Sequence, residues 1–163
     1  MEQIDRLNSK IINKVELERL LARLRFLGKK IVFTNGCFDI IHRGHIEYLM
    51  KAYELGDLLF IGLNSDSSVR KLKGEGRPVQ DQEARARILA SMFFVDYIVI
   101  FDEETPYNLI KIVQPDILVK GGDYEIKAIV GNDIVTKKGG RVLTIPFVQG
   151  YSTSSIINKM DNK

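Results

Sequence analysis

Apolar positions along the chain follow two alternating periods. Across residues 15–27 they fall at Leu17, Leu20, Leu21, Leu24 and Leu27, the spacing of one helical stripe. Asn13 with Glu16 three residues later marks the start of that helix, and Gly28 its stop. Short, continuous, β-branched runs then predict strands over 31–35, 58–64, 97–101, 116–120 and 142–147. Helical patterns separate them: 43–55 with Gly56 as its stop, 65–72 capped by Ser65, 81–92, a helix from the Thr105-Pro106 pair to about 114, 126–138 ending at Gly139-Gly140, and 152–160. Residues 73–78 and Gly121-Gly122-Asp123 read as loop and turn.

Strands without polar alternation, each followed by a helix, predict a parallel sheet covered on both faces. With right-handed crossovers this is an α/β fold, a Rossmann-like doubly wound sheet of about five parallel strands. The length of 163 residues suits one domain over 1–163, with an N-terminal extension and helix over 1–28 and the core over 29–163. In such sheets ligands bind beyond the carboxyl ends of the strands. Asn35 to His45, Asn64 to Asp66, Lys120 to Tyr124 and Gly150 to Ser154 all fall there.

Composition narrows the classes. The net charge of +3 is mild and the Lys and Arg residues are scattered, which argues against a dedicated nucleic-acid binder and suits an anionic small substrate. Cys37 is the one cysteine, so no internal disulfide forms. No apolar run approaches the roughly 18 residues of a membrane span, and the first residues lack an apolar signal core. The expectation is a cytoplasmic protein with no membrane partner.

Both histidines, His42 and His45, stand where the first strand hands over to a helix N-terminus. That end of a helix has unpaired N–H groups and partial positive charge, so it favours phosphate. The plainer alternative is a capping histidine beside a surface histidine. A structural zinc site is excluded, since no second cysteine or third histidine exists to complete it. Gly36 and Gly44 would allow close approach of backbone to ligand or act as turn punctuation. Asp39 would orient the site or cap the helix. Cys37 reads as a small loop residue. Ser152 and Thr153 open the last helix, as caps or as a second phosphate contact. Among Arg70, Lys71, Lys73, Arg77 and Arg85, the reading takes Lys73 and Arg85 as substrate contacts and the rest as surface. Lys120, Gly121, Asp123 and Tyr124 would hold a nucleoside by ribose hydrogen bonds and base stacking.

The string Gly-Cys-Phe-Asp-Ile-Ile-His-Arg-Gly-His at 36–45 resembles the His-x-Gly-His signature of cytidylyltransferase-like nucleotidyltransferases. The segments 33–39, 64–70, 72–78, 118–124 and 150–153 resemble one subgroup in particular. Its members are adenylyltransferases acting on D-glycero-β-D-manno-heptose 1-phosphate in ADP-heptose synthesis, a step toward lipopolysaccharide. The resemblance runs from about Lys14 to Met160. It implies ATP and a sugar 1-phosphate as substrates, with Mg²⁺ held mainly by their phosphates and no metal ligand from the protein. It implies phosphate roles for His42, His45 and Lys73. Nucleotide contacts would come from Asn35, Gly36, Cys37, Phe38, Gly44, Lys120, Gly121, Asp123, Tyr124, Ser152 and Thr153, and sugar-phosphate contacts from Asp39, Asn64 and Arg85.

The chain departs from the pattern at three points. In many bacteria the activity is fused to a sugar kinase, for which this length has no room, so the expectation is a stand-alone form. Ile157 stands where many relatives carry a basic residue. The run from Pro146 to Thr153 lacks the Arg-Thr pair of glycerol-phosphate cytidylyltransferases. Alternatives are a transferase of the same fold with glycerol 3-phosphate or FMN as acceptor, or a nucleotide-binding module without turnover. The oligomeric state is left open, with a homodimer as one option.

Overall fold

A computed structural model describes residues 2–161, with the side chain of Asp161 left out of account. The elements in chain order are α1 (Gln3–Asn8), α2 (Lys14–Phe26), β1 (Ile31–Gly36), α3 (Arg43–Tyr53), β2 (Leu58–Asn64), α4 (Asp66–Lys73), α5 (Gln82–Ala90), β3 (Tyr97–Phe101), α6 (Tyr107–Val113), β4 (Ile117–Gly121), α7 (Asn132–Lys137), β5 (Arg141–Ile145) and α8 (Thr153–Asp161). The five strands form one parallel sheet in the order β3-β2-β1-β4-β5. The chain starts in the middle, winds out to β3, then crosses back to β4. The reversal of direction between β1 and β4 opens a crevice at their carboxyl ends.

Alternation along β1 shows why both faces need covering. Val32 packs with α3 and α5 through Leu49, Ala52, Ala86 and Leu89. Its neighbours Ile31 and Phe33 pack on the other face with α2, α6 and α7 through Leu17, Leu21, Leu24, Ile110 and Val135. The stripe on α2 is therefore core: Leu17 and Leu21 are buried, each burial contributing about 1.5–3 kcal/mol. Asn13 closes the capping box that the sequence signals, accepting from the amides of Val15 and Glu16 while Glu16 accepts from the amide of Asn13. Upstream, Ile11 bridges to Ile98 beside β3, so the N-terminal segment extends the sheet edge.

Two segments differ from the expected pattern. α1 was not signalled, because residues 2–9 lack an apolar stripe and no residue of that helix is buried. The expected helix over 126–138 is split into a short 3₁₀ turn at Ile126–Ala128 and α7. Gly131 lies between them with φ of 88°, a conformation that L side chains rarely adopt. A Cβ there would also come within 2.7 Å of the Ile110 side chain, so the glycine serves packing as well as the turn.

Candidate active site

The carboxyl ends of β1, β2 and β4 and the start of α8 surround a cleft of about 480 Å³. Asn35, Gly36, Cys37, Phe38 and Asp39 line it from β1 and the following loop, with His45 from α3. Asn64 enters from β2, Lys73 from the last turn of α4, Lys120, Gly121 and Tyr124 from β4 and beyond, and Thr153 from α8. These are residues that the sequence singles out from five separate stretches. His42, Gly44, Asp123, Ser152 and Arg85 do not line it.

His42 is the N-cap of α3 but makes no side-chain cap; its carbonyl accepts from the amides of His45 and Ile46. The first turn of this helix has no acidic residue to occupy its positive end. The two imidazoles stack, with centroids 3.9 Å apart and planes 23° apart, and each has a buried Nδ1 without a protein partner. Phe38 closes over His45, centroid to centroid 5.4 Å. To do so it takes φ of 44°, a conformation that costs a non-glycine residue about 1–3 kcal/mol and that its burial maintains. Gly44 allows the pair to nest, since a Cβ there would stand 3.1 Å from the His42 ring. Burial, then the positive fields of His42 and Lys73, pushes the His45 pKa down to about 4. Burial also lowers that of His42. The pair is therefore neutral and offers N–H donors, in a cleft whose lining carboxylates are Asp39 and Glu104.

Two further groups answer to burial. Lys120 is half-buried and its pKa is lowered by desolvation, with its ammonium 5.8 Å from the Tyr124 ring centroid. The Cys37 thiol is pushed up by burial, which outweighs the fields of Lys73 and Arg85, so it stays protonated. Asp123 is exposed on the turn outside the cleft. Ser152 is an ordinary cap, its hydroxyl accepting from the Ser155 amide at 3.1 Å, and Thr153 donates to the Ile40 carbonyl at 3.4 Å.

Arg85 corrects the expectation of a sugar-phosphate contact. It is fully buried, with Nε on the Gln80 carbonyl, Nη1 on the carbonyls of Cys37 and Asn64, and Nη2 on the Asp66 carboxylate at 2.7 Å. It is a strut beneath the cleft, tying the ends of β1 and β2 to the start of α4. Its place in the sequence carried the signal: Arg85 lies four residues before buried Leu89, on the inward face of α5. Asp39 is likewise committed to protein partners. It accepts from Arg77 Nε at 2.7 Å and from the amides of Val79 and Gln80. Burial raises its pKa, but these hydrogen bonds and the Arg77 charge outweigh burial and hold it below the usual carboxylate value. Arg77, taken as surface, is thus the partner that fastens the loop after α4. Asn64 is buried and donates to Ser68 Oγ at 2.9 Å, which places its amide in the packing at the end of β2.

Tyr48 was missed. β1 and β4 pair only at Val32–Ile117 and Phe33–Leu118 and separate beyond. The buried phenol of Tyr48 spans that gap, accepting from Thr34 Oγ1 at 2.6 Å and donating to the Val119 carbonyl at 3.2 Å. Its position three residues after His45, on the inward face of α3, was the available signal. Phe147, after β5, also lines the cleft. Among the described residues no group of three or more His, Cys, Asp or Glu is arranged to hold a metal ion, and no helix is long and apolar enough to cross a membrane.

Comparisons with known proteins agree with this geometry. The chain is similar to the bifunctional protein HldE of Citrifermentans bemidjiense, 55% identical over 153 residues, which cover 94% of this chain and 31% of that protein. It is 56% identical to the bifunctional protein HldE of Aliarcobacter butzleri, again over 94% of this chain and 31% of the relative. The chain thus spans 31% of the length of these curated relatives. Among solved structures, the lipopolysaccharide core biosynthesis protein of Thermoplasma volcanium superposes with a TM-score of 0.62 at 28% identity, over 77% of this chain and all of that one. The model of one family, described as cytidylyltransferase-like, matches residues 33–159, a span that holds the stacked histidines, the strut beneath them and both sides of the crevice. The chain belongs to the cytidylyltransferase-like family of nucleotidyltransferases.

Proposed function

We propose that this chain is an adenylyltransferase that makes ADP-heptose and pyrophosphate from ATP and D-glycero-β-D-manno-heptose 1-phosphate. The observation that carries the reading is the stacked, anion-free pair His42 and His45 at the start of α3, with Lys73 close enough to depress the His45 pKa. It sits at the point where the strand order reverses, where a doubly wound sheet binds nucleotides. The likeness to bifunctional HldE proteins over nearly the whole of this chain favours heptose 1-phosphate as acceptor, through the subgroup motifs at 33–39, 64–70, 72–78, 118–124 and 150–153.

A phosphate oxygen of the sugar attacks the α-phosphorus of ATP in line. The bond from that phosphorus to the α–β bridging oxygen breaks, and its electron pair leaves with pyrophosphate. The attacking oxygen is already ionised at neutral pH, so no general base is needed. Catalysis is positioning and neutralisation of developing charge. His42 and His45 donate toward the α- and β-phosphates and the bridging oxygen, together with the free amides of the first turn of α3. Lys73 and Thr153 hold the departing pyrophosphate. Lys120 and Tyr124 hold the nucleoside. Both oxygens of Asp39 are committed to Arg77, Val79 and Gln80, so this carboxylate is not free to hold a cation. In this reading Mg²⁺ is carried mainly by the oxygens of the triphosphate.

The test is pyrophosphate release with Mg·ATP and a panel of acceptors: heptose 1-phosphate, glycerol 3-phosphate and FMN. Release with the sugar phosphate alone is expected. Release with another acceptor only would overturn the assignment, and release with none would make the chain a binding module.

A further inference from the structure

Phe147 lies two residues beyond β5 and is 59% exposed, yet it borders the cleft. One face of its ring is seated on bare backbone. A Cβ at Gly121 would stand 2.6 Å from its Cε1, and a Cβ at Gly122 would stand 3.0 Å from its Cε2. Any side chain at either position would lift the ring away. Tyr124 borders the same platform, its Cε2 lying 3.3 Å from where the Gly122 Cβ would be. Val130 and Lys120 complete this end of the cleft. The polar groups that suit phosphate are elsewhere, on α3 and α4. One end of the cleft thus carries His45 and Lys73, while the other offers flat, half-open aromatic surface beside Lys120.

A ring held on one face and open on the other is built to take a second flat ring. We infer that Phe147 is the stacking platform for the nucleobase, seated on Gly121 and Gly122 with Tyr124 beside it. The inference rests on the reading of the cleft as an ATP site. A larger purine ring overlaps that face more fully than a pyrimidine, so the platform itself favours a purine.

The chain contains no tryptophan, so Phe147→Trp places the sole indole reporter at the platform. ATP and inorganic tripolyphosphate are titrated into this variant, into Phe147→Ala and into wild type. Binding is followed by fluorescence for the tryptophan variant and by calorimetry for all three. Stacking predicts that ATP quenches the indole and tripolyphosphate does not. It predicts that Phe147→Ala weakens ATP by about 5- to 150-fold, the range of one base–aromatic stack, and that tripolyphosphate affinity stays the same. Phe147→Trp should keep ATP affinity. Equal ATP affinity in wild type and Phe147→Ala would overturn the inference alone. So would equal losses for ATP and tripolyphosphate, which would make the ring a structural prop. Wild type that binds tripolyphosphate but shows no preference for ATP would overturn it together with the reading of the cleft as a nucleotide site.

Discussion

His42 and His45 stack with centroids 3.9 Å apart, and two imidazolium charges at that separation would repel by about 4 kcal/mol at an effective dielectric near 20. The resting site therefore holds its histidines neutral. If His45 meets charge that develops in the transition state, His45→Ala should lower kcat by about 10²- to 10³-fold, with a much smaller change in the KM for ATP. A normal kcat with a large rise in KM would make His45 a binding residue only. The depressed pKa also has a stability consequence. The unfolded chain takes up the His45 proton near pH 6.5 and the folded chain only near pH 4. As pH falls through that window the unfolded state gains, so stability declines, and below the folded pKa this contribution levels off. Denaturant midpoints measured from pH 7 to pH 4 should fall less steeply in His45→Gln than in wild type. The pair was legible in the sequence because histidine at a strand–helix junction has few plain explanations. Arg77 was not, because a guanidinium carries the same letter whether it faces water, phosphate or the Asp39 carboxylate, while the spacing of Arg85 from Leu89 on α5 was the signal that its charge outweighed.

At the scale of elements, the sequence reads residues 73–78 as loop from Lys73 onward. Lys73 instead closes α4, and the far end of the loop is fastened at Val79 and Gln80 to Asp39. Lysine and strut should separate cleanly in experiment. Lys73→Ala should cost about 1.5–3 kcal/mol in kcat/KM through a lost charge-assisted phosphate contact, with the melting temperature unchanged. Arg85→Leu should cost about 3–5 kcal/mol in folding stability, since it leaves Asp66 and three carbonyls without their donor. Asp39→Asn should lower stability in the same direction and raise protease sensitivity between Gly74 and Gln80. Parallel melts and steady-state kinetics decide each case; a stable Arg85→Leu with impaired substrate binding would return Arg85 to the substrate. The strands were legible because runs such as Leu59 to Leu63 are buried on both faces and carry no competing period. The 126–138 segment was not, since its apolar spacing fits a helix and the break lies in backbone conformation, extended at Ile129 and with positive φ at Gly131.

At the scale of the molecule, alternation of strand and helix was enough to place the cleft, because right-handed crossovers leave few ways to order five parallel strands. What the sequence could not show was how far β1 and β4 part, since that depends on a phenol from α3 spanning the gap between Thr34 and Val119. A crevice of fixed width with an aromatic end should discriminate between bases. ATP is expected to exceed CTP in kcat/KM by about 100-fold, and comparable rates would move the assignment toward cytidylyl transfer. The central claim is that adenylate, and not a terminal phosphate, passes to the sugar. ATP labelled at the α-phosphorus and, separately, at the γ-phosphorus can be incubated with Mg²⁺ and heptose 1-phosphate and the products resolved. The α label is expected in ADP-heptose and the γ label in pyrophosphate. A γ label on the sugar, or an α label that stays in ADP or AMP, would contradict it.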